Sequence, residues 1–196
     1  MSKKVVFILG SPRKKGNTNV LAREAMRALT EVGIDTVEID TPRLDFKHPG
    51  CVACYKCQQS AEYGCHIGDE LGKTVSTLAE YDAIVLATPL YWFSYPAQMK
   101  MFIDRMFSMI KFGENHEIFS PLHGKPLALL ATAGSRLEEN LELLDSHWRI
   151  SAKKIDAPYL SCLFPFCQYP PGGVVEDADA MSKAAEFGKE LARMLK

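Results

Sequence analysis

The sequence lacks any long hydrophobic run and any excess of charge. From Met1 to Leu9 two lysines are followed by only five consecutive apolar residues, too few for a signal-peptide core or a membrane span. We therefore expect a cytoplasmic protein with no membrane segment. Lysine and arginine total 23 against 24 acidic residues, so no overall field draws the chain to nucleic acid or to an anionic membrane surface. A small-ligand site is expected instead. There is no internal repeat or low-complexity segment. No Ser-His-Asp constellation or His-Glu-x-x-His motif is present either, so no side chain is nominated as an obligatory general acid or base.

At 196 residues the chain is long enough for one substantial core, and one domain over residues 1–196 is expected. Val5 to Leu9, Ala83 to Ala87 and Leu127 to Ala131 are continuous apolar runs, the pattern of strands covered by helices on both faces. Apolar and polar residues alternate at Val37 and Ile39, and Tyr159 and Ser161 alternate with Leu160 and Cys162, which predicts half-exposed sheet edges. Between strands the spacing is helical: Leu21, Ala25, Ala28, Val32, then Met99, Phe102, Met106, then Leu137, Leu141, Leu144, Trp148, and finally Met181, Ala184, Gly188, Leu191, Leu195. This alternation predicts an α/β fold with a parallel sheet, right-handed crossovers and helices on both faces. Two connections are unusually long, residues 41–67 with a cysteine cluster and residues 111–125 with His116 and His123. Long loops are either functional or plain surface insertions.

The first predicted strand runs into Gly10-Ser11-Pro12-Arg13-Lys14-Lys15-Gly16-Asn17-Thr18-Asn19 and then a helix. Such a turn aims free backbone N–H groups and the positive helix end at one spot, where an anion is stabilised. Ser11, Asn17, Thr18 and Asn19 add short polar side chains and Arg13 a cation. A Walker loop is excluded because five residues separate the glycines and no Lys-Ser/Thr follows, and Gly-x-Gly-x-x-Gly is absent. The plain alternative is a helix capped by Asn17 or Thr18.

The strand at 83–87 leads into Thr88-Pro89-Leu90-Tyr91-Trp92-Phe93-Ser94-Tyr95-Pro96. Consecutive aromatics at a strand's carboxyl end stand where open α/β sheets bind ligands, and a planar ring can stack there. A core or dimer contact is the alternative. Thr132-Ala133-Gly134-Ser135 adds a small, close-approach turn on the same edge, so Thr132 and Gly134 join the candidate site. Asp35, Glu38 and Asp40, without the glycine fingerprint, read as solvated strand-end charges.

Through Gly10-Ser11-Pro12-Arg13 with Gly16-Asn17-Thr18, and through Thr88-Pro89-Leu90-Tyr91-Trp92 with Pro96 and Lys100, the sequence resembles the NADPH-dependent FMN reductase group of the flavodoxin-like superfamily over most of its length. The resemblance implies a three-layer sandwich with a five-stranded parallel sheet of order 2-1-3-4-5. It implies that Ser11, Arg13, Gly16, Asn17, Thr18 and Asn19 hold the FMN phosphate and that Pro89, Leu90, Tyr91, Trp92 and Phe93 flank the isoalloxazine. It also implies a homodimer or homotetramer.

Cys51-x2-Cys54-x2-Cys57-x7-Cys65 gathers four thiols on one loop. Short gaps of this kind let a chain wrap an iron–sulfur cluster, and the motif resembles that of iron-sulfur flavoproteins, a branch of the same group with a [4Fe-4S] cluster beside FMN. A tetrahedral zinc site, with His48 or His66 available as ligands, and free thiols are the alternatives. Cys162 and Cys167 read as buried or idle. The expected activity is NAD(P)H oxidation through FMN to a small acceptor such as a quinone or a flavin. The alternative is an electron carrier that relays between protein partners through FMN and a cluster.

Overall fold

The computed structural model describes residues 2–196; Met1, which opens the N-terminal segment considered above, lies outside them. Strand and helix alternate as β1 (Lys4–Leu9), α1 (Asn17–Thr30), β2 (Asp35–Asp40), a single turn α2 (Lys56–Gln59), α3 (Glu70–Ser76), β3 (Ala83–Pro89), α4 (Ala97–Arg105), short strands β4 (Lys111–Phe112) and β5 (Ile118–Phe119), then β6 (Leu127–Thr132), α5 (Glu142–Lys154), β7 (Tyr159–Phe164) and α6 (Ala178–Met194). The main sheet has the order β2-β1-β3-β6-β7, with every pairing parallel. With the β4–β5 hairpin set aside, this is the expected 2-1-3-4-5 order.

The three apolar runs form the sheet centre because both of their faces are covered. Side chains alternate across each strand, so Val6, Ile8, Ile84, Leu86 and Leu129 join Met99, Phe102 and Trp148 on one side. Val5, Phe7, Leu9, Val85 and Leu130 join Leu21, Ala25 and Leu191 on the other. Each such aliphatic burial is worth about 1.5–3 kcal/mol. α1 and α6 approach closely because Gly188 has no Cβ; one would collide with the Ala25 carbonyl oxygen. The outer strands are half exposed as expected, and the charges of β2 are solvated: Arg23 grips Glu38 at 2.8 Å and Arg43 reaches Asp40 at 3.0 Å.

The helical spacings overrun their helices at several ends. Val32 is exposed in the turn after α1, and Leu137 is exposed in an irregular segment where Glu139 takes φ 53° before α5 begins. Residues 111–125 are not a bare loop, since β4 and β5 pair antiparallel with His116 at their exposed tip. The N-cap of α1 is Gly16, not Asn17 or Thr18.

Candidate functional site

The strand order reverses between β1 and β3, and the loops leaving β1, β3 and β6 share the carboxyl edge there. Gly10 fastens the first loop by donating to the Ala87 carbonyl at 2.8 Å. A Cβ on Gly10 would lie 2.9 Å from Met99 Cε, and one on Gly16 would lie 2.9 Å from Ser11 Oγ and 3.1 Å from the Arg13 carbonyl oxygen. Neither position accepts a side chain without movement. The Ser11 hydroxyl accepts from the Arg13 N–H at 3.3 Å, and the fully buried Asn19 amide donates to the Arg13 and Lys14 carbonyls at 3.4 Å each. Asn19 Oδ1 is buried with no partner.

The first intrahelical bond of α1 runs from Val20 N–H to the Gly16 carbonyl at 3.1 Å. The preceding N–H groups of Asn17, Thr18 and Asn19 thus have no helical acceptor and stand at the positive end of the dipole. The Asn17 side chain is occupied elsewhere: it donates to the Tyr169 carbonyl at 3.0 Å and accepts from the Gly172 N–H at 2.9 Å. Thr18 bonds Thr132 at 2.7 Å, hydroxyl to hydroxyl. Ser11, Arg13, Asn17, Thr18, Thr132 and Gln168 line a pocket of about 270 Å³.

In the second loop, Leu90 donates to the Thr132 carbonyl at 2.8 Å. Tyr91 and Ser94 then exchange backbone hydrogen bonds of 2.9 and 3.0 Å around Trp92 and Phe93, whose φ values are 47° and 60°. Two positive φ angles at the centre of a two-residue hairpin define a primed turn, normally the province of Asn and Gly. An L-residue here costs roughly 1–2 kcal/mol, and strain of this kind concentrates at ligand sites. The turn leaves Trp92 91% exposed, with no core-packing return for its indole. Leu90, Trp92, Phe93, Gly134 and Arg136 line a cleft of about 570 Å³. That cleft shares Leu90, Ala133 and Gly134 with the smaller pocket, so a polar cradle opens beside an aromatic-walled slot. Gln168 and Tyr169, which the sequence reading missed, close the cradle from the segment after β7. Their only signal was the Pro170-Pro171-Gly172-Gly173 turn beside them.

Cys51, Cys54, Cys57 and Cys65 line one narrow cavity of about 20 Å³ together with His66 and Arg105. Cys51 and Cys54 are exposed, Cys65 is half-buried and Cys57 is buried. Positive φ at Ala53 (50°) and Tyr55 (55°) curls the chain between the thiols. Arg105, also missed, is 1% exposed and donates to Cys65 Sγ at 3.1 Å, to Asp69 Oδ2 at 3.0 Å, to the His48 carbonyl at 2.9 Å and to the Gly50 carbonyl. Burial would raise the Asp69 carboxyl, but the N–H groups of Lys47 and Gly72 and the Arg105 guanidinium outweigh it and hold the group below the usual carboxylate range. A single zinc ion needs its ligands at about 2.0–2.3 Å from one point. Among the described residues no three His, Cys, Asp or Glu side chains meet that condition. Cys162 and Cys167 lie apart from this cavity, both pushed up to about 11 by burial. Cys162 is buried, whereas the half-buried Cys167 borders the polar cradle at the start of α1.

A doubly wound sheet with such a pair of clefts at its switch point defines the flavodoxin-like class. Residues 3–157 match the NADPH-dependent FMN reductase family, and the chain belongs to it. An iron-sulfur flavoprotein of Methanocaldococcus jannaschii is 38% identical over 102 residues, covering 52% of this chain and 51% of that protein. One from Methanosarcina thermophila is 31% identical over 134 residues, covering 68% and 64%. The matched region therefore spans between about half and two thirds of these relatives. Among solved structures, an NAD(P)H:quinone oxidoreductase from Methanothermobacter marburgensis superposes with a TM-score of 0.68 at 19% identity, covering 97% of this chain and all (100%) of that one. An FMN-dependent NADH-azoreductase from Bacillus anthracis gives 0.70 at 11% identity, covering 99% and 100%. At these identities the two structures share the fold. No helix among the described residues is long and apolar enough to cross a membrane.

Proposed function

We propose that this chain is an FMN-dependent NAD(P)H oxidoreductase in which electrons pass from a nicotinamide cofactor through bound FMN to a small acceptor such as a quinone or a free flavin. The observation that carries this reading is the junction of the two clefts through Leu90, Ala133 and Gly134, which suits a ligand with a phosphate at one end and a planar ring at the other. The N–H groups of residues 17–19 would hold the phosphate, with Ser11 and Arg13 beside them and Gly16 permitting the approach. Pro89, Leu90, Tyr91, Trp92 and Phe93 would wall the ring, while Thr132 and Gly134 let it come close to β6. When bound, FMN supplies the chemistry of hydride acceptance and electron release. The protein's part is to orient it and to keep one face open.

Anaerobic mixing of the flavin-loaded protein with NADPH or NADH should bleach the flavin absorbance within one turnover, and a quinone should restore it. Bleaching by reduced ferredoxin alone would instead favour a carrier between protein partners. That second reading draws support from the four thiols lining one cavity and from relatives named iron-sulfur flavoproteins. In it, Cys51, Cys54, Cys57 and Cys65 would hold a [4Fe-4S] cluster, which would supply single-electron transfer beside the flavin. Four irons and four sulfides per chain after anaerobic purification would support it; none after reconstitution would remove it. We also infer a homodimer or homotetramer, supported by Phe112, Phe119 and Ile150, each more than half exposed, and testable by light scattering.

A further inference from the structure

Two cations from one short segment hold the cysteine loop on either side of the exposed stretch 51–56. Arg105, at the end of α4, takes the carbonyls of His48 and Gly50 just ahead of Cys51, the sulfur of Cys65, and Asp69 beyond it. Lys111, in β4, donates to the carbonyls of Cys57, Ser60 (2.8 Å) and Glu62 (2.9 Å) and lies 5.3 Å from the centre of the Tyr63 ring. Between them Gln58 donates to the carbonyls of Phe107 (3.4 Å) and Ile110 (2.9 Å). These carbonyls find no partner in a helix or a strand ladder, and buried carbonyls must be satisfied. Here side-chain donors from 105–111 supply what a strand ladder would supply elsewhere. Placing the Arg105 guanidinium against Cys65 Sγ has a second consequence: thiolate charge there would be compensated by a fixed donor already aimed at it.

We propose that Arg105 and Lys111 are a positioning pair that preforms the cysteine motif for an inorganic cluster, and that Arg105, through its hydrogen bond to Cys65 Sγ, raises the reduction potential of that cluster. This rests on reading the four cysteines as cluster ligands. Neither cation touches the loops at residues 10–19 or 89–94, so FMN binding is independent of the pair. The same helix that carries Arg105 begins directly after the aromatic turn, which ties the position of the thiol cavity to the wall of the ring slot through one rigid element.

The test uses the full chain loaded with FMN. Hydrogen exchange is followed on the metal-free protein. Iron content and midpoint potential are measured after anaerobic reconstitution with iron and sulfide. Arg105→Met and, separately, Lys111→Met should speed exchange across residues 48–65 about tenfold while exchange at 4–19 and flavin content match the unsubstituted chain, which shows that the variants fold. Iron retention should fall roughly tenfold, and the cluster that remains in Arg105→Met should titrate at lower potential. Arg105→Lys, which keeps a donor and the charge, should recover most of both. Unchanged exchange over 48–65, or unchanged iron retention and potential, overturns the proposal. If the unsubstituted chain itself takes up no iron, the cluster reading fails and this proposal with it, an outcome distinct from a failure seen only in the variants.

Discussion

Thr18, in the first turn of α1, and Thr132, the last residue of β6, are joined hydroxyl to hydroxyl at 2.7 Å with both side chains buried. The bond ties the polar cradle to the loop that borders the aromatic slot, across 114 residues of sequence. Because Leu90 N–H also bonds the Thr132 carbonyl at 2.8 Å, one residue of β6 coordinates the other two loops.

Replacing one member of the pair should cost more than replacing both. Thr18→Val leaves the Thr132 hydroxyl buried without its partner and should destabilise by about 1–3 kcal/mol. Thr18→Val with Thr132→Val should recover part of that loss. A urea-unfolding double-mutant cycle checks this, and a purely additive cycle would contradict it.

Trp92→Gly separates stability from binding. Glycine removes left-handed strain of roughly 1–2 kcal/mol but adds chain entropy of about 0.4–1 kcal/mol, and the lost indole was almost wholly exposed. The flavin-free variant should therefore melt at the same temperature as the unsubstituted protein or slightly above it, while its flavin affinity falls. A lower melting temperature together with unchanged affinity would assign Trp92 to folding rather than to the ring slot.

The cysteines should divide by exposure and by acidity. In reduced, metal-free protein at neutral pH, Cys51 and Cys54 are exposed and should alkylate first. Cys162 and Cys167, pushed up to about 11 by burial, should react last. Peptide mapping of a labelling time course reads the order directly.

The ion pair of Asp69 with Arg105 predicts an acid limit for the cysteine loop. The folded pKa of Asp69 lies below its ordinary value of 3.8, so its contribution is complete above that value and is lost as pH falls through the folded pKa. Exchange over residues 47–72 should rise selectively below about pH 4. In Asp69→Asn the loop should exchange fast already at pH 7, since removing one partner of a buried pair costs about 3–5 kcal/mol, and its acid response should be largely abolished.

The parts of this fold that could be read from sequence are those where one physical effect dominates. β1, β3 and β6 are buried on both faces, so their composition alone marks them, and the half-buried β2 and β7 show alternation. Val32 and Leu137 misled because apolar spacing continues past a helix end that backbone geometry, not hydrophobicity, sets. The close-packed Gly10 and Gly16 of the first loop were legible as a tight turn, while the commitment of the Asn17 side chain to Tyr169 and Gly172 was not, because its partners are brought together only by the tertiary fold. Arg105 escaped notice for the same reason. A charged residue in a helix reads as solvated, and its sole local hint is a place three residues after the buried Phe102, on the same helical face.

The central claim is that residues 10–19 hold a phosphate whose attached ring lies against Pro89–Phe93. Titrating flavin-free protein with FMN and with riboflavin, which lacks the phosphate, tests it most directly. The account predicts equimolar FMN binding, with riboflavin weaker by about a hundredfold or more, equivalent to roughly 2.7 kcal/mol, and a gap that narrows in Gly16→Ala because its Cβ would displace Ser11 and Arg13. Equal affinity for the two flavins, or no binding of either, would contradict it.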